Sequence, residues 1–413
     1  VLLAAVVAIA ALAPVPAEGT PPRRVRCGTG ALLRPALPAG ATLGLTDRPR
    51  LPDVLDSAAR PLRVHFDPAT TAPAAAALVL AAAEEAWTQQ VDGAGFPPPL
   101  SDDAGFDDDG GDPRLDIYLG PIAPGVGALT VSGADIAGEG PVVRAAFVRI
   151  APAIDDDGLA VATHHEFQHV VQFAVDARES PLWFEATATA WEQLARPDVD
   201  DWQEALPSFQ RQPQAPLTTD ASAFAPFATD DGGLYEYGAA LWALHLETTL
   251  GTGDGALLRA LWTSSAQPRV EGPATADANE PDWLDGLAGQ VGGDDALRAL
   301  LLDFAGWRAL TGPRAVADDG PPRAWALDGR ATLAASALRL DALSGVERTT
   351  TIAEGPFPLG CATFAGVAPA DRDVPLRIAA TRGAGHPGAV VAVVRGDHDG
   401  DGTASATREQ SPV

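Results

Sequence analysis

The 413-residue chain has no lysine, no methionine and only two cysteines, and its 28 basic side chains, all arginine, face 55 acidic ones. Two cysteines exclude a small fold held together by disulfides. The shortage of positive charge, a net −27 with an isoelectric point near 4.4, opposes binding to nucleic acid or to an anionic membrane surface, since both would repel the chain at long range. The one long apolar run, at the very start, is too short to span a bilayer without help. What the chain has in quantity is apolar surface, 46% of residues, enough for two or three domains with cores of their own. Its wealth of alanine, glycine and proline carries no functional message.

Residues 1–17 place Leu-Leu-Ala-Ala-Val-Val-Ala-Ile-Ala-Ala-Leu-Ala before Pro-Val-Pro-Ala, the apolar core and small-residue end of a secretory signal peptide. The expectation is an exported protein, secreted or periplasmic or held at the cell surface, with no stable membrane anchor once the leader is removed. In an oxidising compartment Cys27 and Cys361 form one possible bridge, the alternative being two separate buried thiols. Residues 18–60 are rich in Pro, Gly and Arg without periodicity and are expected to be irregular or pro-like.

From Pro61 the pattern becomes regular. Strands are expected at 61–66, 115–119 and 142–150, and helices at 74–91 and about 159–176, which makes 61–180 a mixed α/β lobe. Helical periodicity then recurs at 182–195, 238–249, 255–264, 282–290 and 294–310, so 181–335 reads as a helical lobe. Short alternating runs from 336 to 413 suggest a small β-sandwich-like C-terminal domain.

The chemistry concentrates in His165-Glu166-Phe167-Gln168-His169. Histidines four apart share one face of a helix, so two imidazoles can grip one Zn²⁺ while Glu166 accepts a proton from an activated water. A catalytic zinc needs a third protein ligand. A third histidine six positions beyond the second is ruled out by Val175, and a methionine turn by the lack of methionine, which removes the metzincin pattern. The remaining common solution is a glutamate on the next helix, and Glu185 sits near the start of a helix beginning at Pro181. An acidic residue there can also simply answer the helix dipole, but beside the upstream motif the ligand role is favoured.

These residues resemble a gluzincin, the zinc peptidase group with His-Glu-x-x-His on one helix and a ligand glutamate on the next. They are most similar to a set of secreted bacterial metalloproteases with His-Glu-Phe-x-His-x-x-Gln-Phe followed by Trp-x-x-Glu-Ala-x-Ala-x-Trp. Here the corresponding stretches are His165 to Phe173 and Trp183-Phe184-Glu185-Ala186-Thr187-Ala188-Thr189-Ala190-Trp191-Glu192, with Glu185 two rather than three positions after Trp183. The resemblance implies an α+β, zincin-like metallopeptidase domain over 61–335, with His165, His169 and Glu185 as zinc ligands and Glu166 as general base. It implies a polypeptide substrate cut internally by an activated water. Tyr235, in Tyr235-Glu236-Tyr237-Gly238, takes the place of an oxyanion-stabilising tyrosine, a role Tyr237 could also fill.

Around this core, Glu192 is a candidate acceptor for a ligand histidine's second nitrogen and His164 is expected to be structural. Ca²⁺ is the competing reading of the acidic loops at 102–112, 155–157 and 397–401, although the last lacks the closing glutamate of a calcium loop and reads better as a solvated turn. Two other functions remain in view. One is a noncatalytic binding or adhesion protein on the same fold, against which an intact Glu166 argues. The other is an aminopeptidase, against which the absence of an amine-anchoring segment upstream argues. Oligomeric state is not legible.

Overall fold

The computed structural model describes residues 25–27, 29, 47–108, 110–123, 125–136, 140–152, 154–213, 215, 217, 234–266, 281–309 and 311, together with four strands further on. It is an α+β structure whose contacts divide it into two units, Pro21–Leu206 with Thr218–Gln290, and Val1–Thr20 with Pro207–Leu217 and Val291–Val413.

The first unit is built on a six-stranded mixed sheet of β1 (Val25–Cys27), β2 (Asp53–Asp56), β3 (Leu62–Phe66), β4 (Leu115–Leu119), β5 (Val126–Ser132) and β6 (Ala146–Ile150), in the spatial order β1-β5-β6-β4-β3-β2. The central strands β3, β4 and β6 run parallel, β2 runs against β3 and β5 against β6, and β1 lies parallel to β5 at one edge. Leu-Asp-Ile-Tyr-Leu and Ala-Phe-Val-Arg-Ile in β4 and β6 are buried along their whole length, as interior strands covered on both faces must be. Among their polar members, Asp116 binds His65 Nε2 at 2.8 Å and Arg48 at 2.7 Å, and the same guanidinium reaches Asp102 at 2.8 Å. Asp155 is a helix cap, and Asp112 pairs with Arg63 and Arg114, so these acidic-loop carboxylates are already engaged by the protein. The 397–401 loop lies outside the described residues.

Helices α1 (Pro73–Ala86) and α2 (Asp156–Phe173) pack on each other and on the sheet. Proline at the first position starts α1, and its Ala76, Val79, Leu80 and Ala83 form the buried stripe. A wide helical turn at Trp87–Gly93 ends it. Asp155 caps α2 by accepting from Gly158 N–H at 2.9 Å, with Asp156 and Asp157 in the first turn, so the helix starts three residues earlier than apolar periodicity alone indicates. From Leu159 almost every residue of α2 is buried, because α3 (Pro181–Ala195) covers the side that the sheet leaves open. After it come α4 (Leu206–Gln210), α5 (Leu234–Gly238), α6 (Ala240–Thr249), α7 (Ala256–Ser265) and α8 (Trp283–Val291), of which α4 from Pro207 on belongs to the second unit, as does α9 (Asp294–Ala309). No helix among the described residues is long and apolar enough to cross a membrane.

Three strands escape the sequence pattern. β1 and β2 fall in the stretch expected to be irregular, where three- and four-residue edge strands offer too few positions for alternation to show. β5 is buried on both faces through its centre, which erases the alternation that marks a strand with one wet side. In the C-terminal region the described elements are two strand pairs, Arg339–Asp341 with Phe364–Gly366 and Ala389–Gly396 with Ser405–Pro412, and the architecture expected around them lies outside the described residues.

His164 is fully buried and neither ring nitrogen has a hydrogen-bond partner among the described residues, a carboxylate oxygen of Glu85 lying 3.7 Å from Nε2. Burial, helped by the charge of Arg196, pulls its pKa from 6.5 down to about 4. Between those values the unfolded chain binds the extra proton, so stability falls as pH falls. His164→Phe should therefore gain on the parent by ~2–3 kcal/mol more at about pH 4.5 than at pH 8, measured by urea unfolding. An equal difference at both pH values would contradict this.

Candidate metal centre

Two helices and one edge strand converge on a sealed group of four side chains, Cys27, His165, His169 and Glu185, whose ligand atoms all lie within 4.8 Å of one another. One helical turn separates His165 from His169 on α2, bringing their Nε2 atoms to 3.1 Å. Glu185 enters from the first turns of α3. That helix is started by Pro181 and capped by Ser180, whose hydroxyl accepts from Trp183 N–H at 3.3 Å, and it is tied down by Glu179, which accepts from Trp283 N–H at 2.9 Å. Glu185 Oε2 stands 3.3 Å from His165 Nε2 and 3.6 Å from His169 Nε2. Cys27 Sγ stands 3.5 Å from His169 Nε2.

These spacings fit a tetrahedral cation. Bonds of about 2.0–2.1 Å to nitrogen and 2.3 Å to sulfur put neighbouring ligand atoms ~3.3–3.6 Å apart. Both carboxylate oxygens of Glu185 are fully buried and have no hydrogen-bond partner among the described residues, a costly state unless a cation satisfies them. The chain can thus hold a metal ion here, with three or four protein ligands.

The outer side of each imidazole is held as a metal ligand requires. His165 Nδ1 meets Glu192 Oε1 at 2.7 Å, and His169 Nδ1 meets Gln172 Oε1 at 2.7 Å. Donation from Nδ1 turns the Nε2 lone pair inward and fixes the ring. Gln172 is fixed in turn by donating to Phe184 O at 3.1 Å and Thr187 Oγ1 at 2.8 Å, and Trp262 Nε1 also donates to Thr187, at 3.1 Å. Although burial favours neutral imidazoles, the Glu185 charge and the Cys27 contact raise His169 to about 10, and contacts with Cys27, Glu185 and Glu192 carry His165 well above its ordinary value. Burial works against Glu185 as well, but the two histidines hold it far below the usual carboxylate range. The Cys27 thiol is pushed up by burial and by the charges of Glu166 and Glu185. The pocket therefore demands buried positive charge.

Glu166 is fully buried beside this group. Its Oε2 accepts from Thr130 Oγ1 of β5 at 2.7 Å and from Thr29 Oγ1 at 3.3 Å, while Oε1 has no hydrogen-bond partner among the described residues. Of the tyrosine pair in α5, both are buried, and it is Tyr237 whose ring stacks on His165, centroids 6.0 Å apart, with its hydroxyl donating to Cys27 O at 2.9 Å. Burial, then the charge of Glu185, pushes the Tyr237 phenol well above its usual value, so it stays a protonated donor.

The structure thus brings His165, Glu166, His169 and Glu185 together, with Glu192 behind them. Thr29, Thr130, Gln172 and the place of Cys27 were not read from sequence. Of these, Gln172 alone carried a local signal, three residues after His169 on the same helix face. The bridge expected between Cys27 and Cys361 involves a residue outside the described ones; Cys27 itself is a free buried thiol. Comparison of the chain with protein-family models, with characterised proteins and with solved structures finds no match.

Zinc affinity, measured by competition with a chromophoric chelator, should fall in two steps. Glu192→Gln should cost about 10–100-fold through a loosened His165, and Glu185→Ala more than that, because a ligand is lost outright. Parental affinity in Glu185→Ala would remove that carboxylate from the centre.

Proposed function

We propose that the chain is an exported zinc-dependent metalloendopeptidase of the gluzincin type, acting on polypeptides. The observation that carries this reading is the placement of Glu166, a buried carboxylate with one oxygen anchored and the other without a hydrogen-bond partner among the described residues, beside the group that holds His165, His169 and Glu185. A zinc ion in that group supplies a Lewis acid that polarises a peptide carbonyl and makes water a better nucleophile. Glu166 Oε1 accepts the proton of the attacking water, and the same carboxylate returns it to the leaving amine. Thr130 holds Oε2 so that the carboxylate cannot turn away. Glu192 and Gln172 keep the two imidazoles in one tautomer and one orientation. Tyr237 supplies the hydrogen bond for negative charge developing on the carbonyl oxygen, the role first considered for Tyr235.

One observation favours a second reading. Cys27 makes a fourth donor, and four protein ligands are the closed form of a structural zinc, as a noncatalytic binding protein would use it. Such a site has no use for a base held beside it.

Glu166→Gln separates the two. The variant should keep one zinc per chain and the parent's stability, yet lose hydrolysis of an N-terminally acetylated, unstructured polypeptide followed by mass spectrometry, since an amide cannot take the water's proton. Hydrolysis at the parent's rate would end the peptidase reading.

Within the same assay Tyr237→Phe should lower kcat by roughly 10²-fold with little change in KM, and Tyr235→Phe should not. The reverse order would return the role to Tyr235.

A further inference from the structure

We infer that Cys27 is the metal's fourth ligand in a resting state, and that Cys27 and Thr29 occupy the position of a substrate backbone on the edge of β5, blocking the enzyme with its own chain. This rests on the peptidase reading above and specifies its substrate as an extended polypeptide strand.

The argument is one of coincidence in space. The groups assigned to catalysis are the metal ligands, the base and the phenol, and all three are engaged by two residues of one short segment. Cys27 Sγ lies against His169 Nε2 at 3.5 Å, Cys27 O accepts from Tyr237 OH at 2.9 Å, and Thr29 Oγ1 donates to Glu166 Oε2 at 3.3 Å. Cys27 is buried against Tyr237 and Ala205. A purely structural fourth ligand has no reason to bring its segment onto the Glu166 carboxylate and the Tyr237 phenol as well. A backbone carbonyl on the Tyr237 hydroxyl, in the same residue whose side chain reaches the metal group, is the arrangement a scissile carbonyl would need.

The segment also shows how a polypeptide is held. β1 pairs with β5 in register Val25 to Val126 and Cys27 to Ala128, and Thr130 N–H then donates to Thr29 Oγ1 at 2.8 Å. β5 is otherwise an edge, with β6 on its far side, and such an edge takes up an added strand through main-chain hydrogen bonds. Three paired residues are a weak hold, so the segment can leave where a full strand could not. Thiol ligation costs one proton, which passes to solvent as the sulfur binds the metal, and no oxidation is involved.

The test uses the full chain in a Cys361→Ala background, so that Cys27 is its sole thiol, with Co²⁺ in place of zinc as a spectroscopic probe. The parent should bind one Co²⁺ and show a thiolate-to-cobalt charge-transfer band, and its thiol should resist a disulfide reagent until a chelator is added. Cys27→Ala should still bind one Co²⁺, without the band. With zinc, it should hydrolyse the acetylated polypeptide faster than the parent by at least ~10-fold, because in the parent only molecules with the segment displaced can turn over. Cobalt bound to the parent without the band overturns the thiolate ligand while leaving the three-ligand centre standing. A band in the parent with no gain of activity in Cys27→Ala overturns the blocking role and favours a closed structural site. Failure of both proteins to take up cobalt overturns the peptidase reading itself, and this inference with it.

Discussion

Two imidazoles, a carboxylate and a thiol sealed from water within 4.8 Å of one another make a demand that the surrounding protein cannot meet by hydrogen bonding. Glu192 and Gln172 take the far nitrogens of the histidines, and Glu185 faces the two imidazoles at 3.3 and 3.6 Å without a hydrogen bond among the described residues. Burying an unpaired carboxylate costs several kcal/mol, so the arrangement persists only if positive charge is supplied from inside the cluster. Protons on the histidines can supply it, and a divalent cation can do so while also matching the tetrahedral spacing.

The fold serves this demand by surrounding the cluster with rigid elements. α2 is buried on nearly all sides and fixed at its start by the Asp155 cap. α3 is fixed by Pro181, Ser180 and the Glu179 contact to Trp283. Stacking of Trp183 on Trp283, centroids 4.4 Å apart, and of Phe184 edge-on to Trp262 locks α3 against α8 and α7. With both helices held, Glu185 cannot swing out to solvent to relieve its charge. The cost of the centre is thus carried by ordinary packing at some distance from it.

What could be read from the sequence was whatever lies close together along the chain. His165, Glu166 and His169 fall within one helical turn, Glu185 and Glu192 fall on the next helix, and the caps and prolines that set those helices are local too. The strands that complete the site are not local in this sense. Thr130 reaches Glu166 from a strand whose two-sided burial hides its period, and Thr29 and Cys27 come from across more than a hundred residues, by a pairing that no spacing records. A cysteine in a chain with a secretory-type start invites a disulfide reading, because that inference uses only counts and compartment. Its actual neighbours are set by which edge of the sheet a three-residue strand finds.

That same shortness has an energetic consequence. The β1 pairing and the Cys27 contact are each modest, but they belong to one segment, so forming either raises the effective concentration of the other by holding it close. With Cys27 as a ligand the pair would be stronger than its parts while both hold and would fail as a unit, since losing the sulfur contact would leave only a three-residue strand and losing the strand would leave a ligand without a tether. A closed structural site built from four side chains on packed helices would weaken by degrees. If Cys27 ligates, a centre with three ligands on two buried helices and the fourth on a sheet edge would have two distinct states, and the segment that carries the loosely held ligand reaches both Glu166, through Thr29, and Tyr237, through Cys27 O.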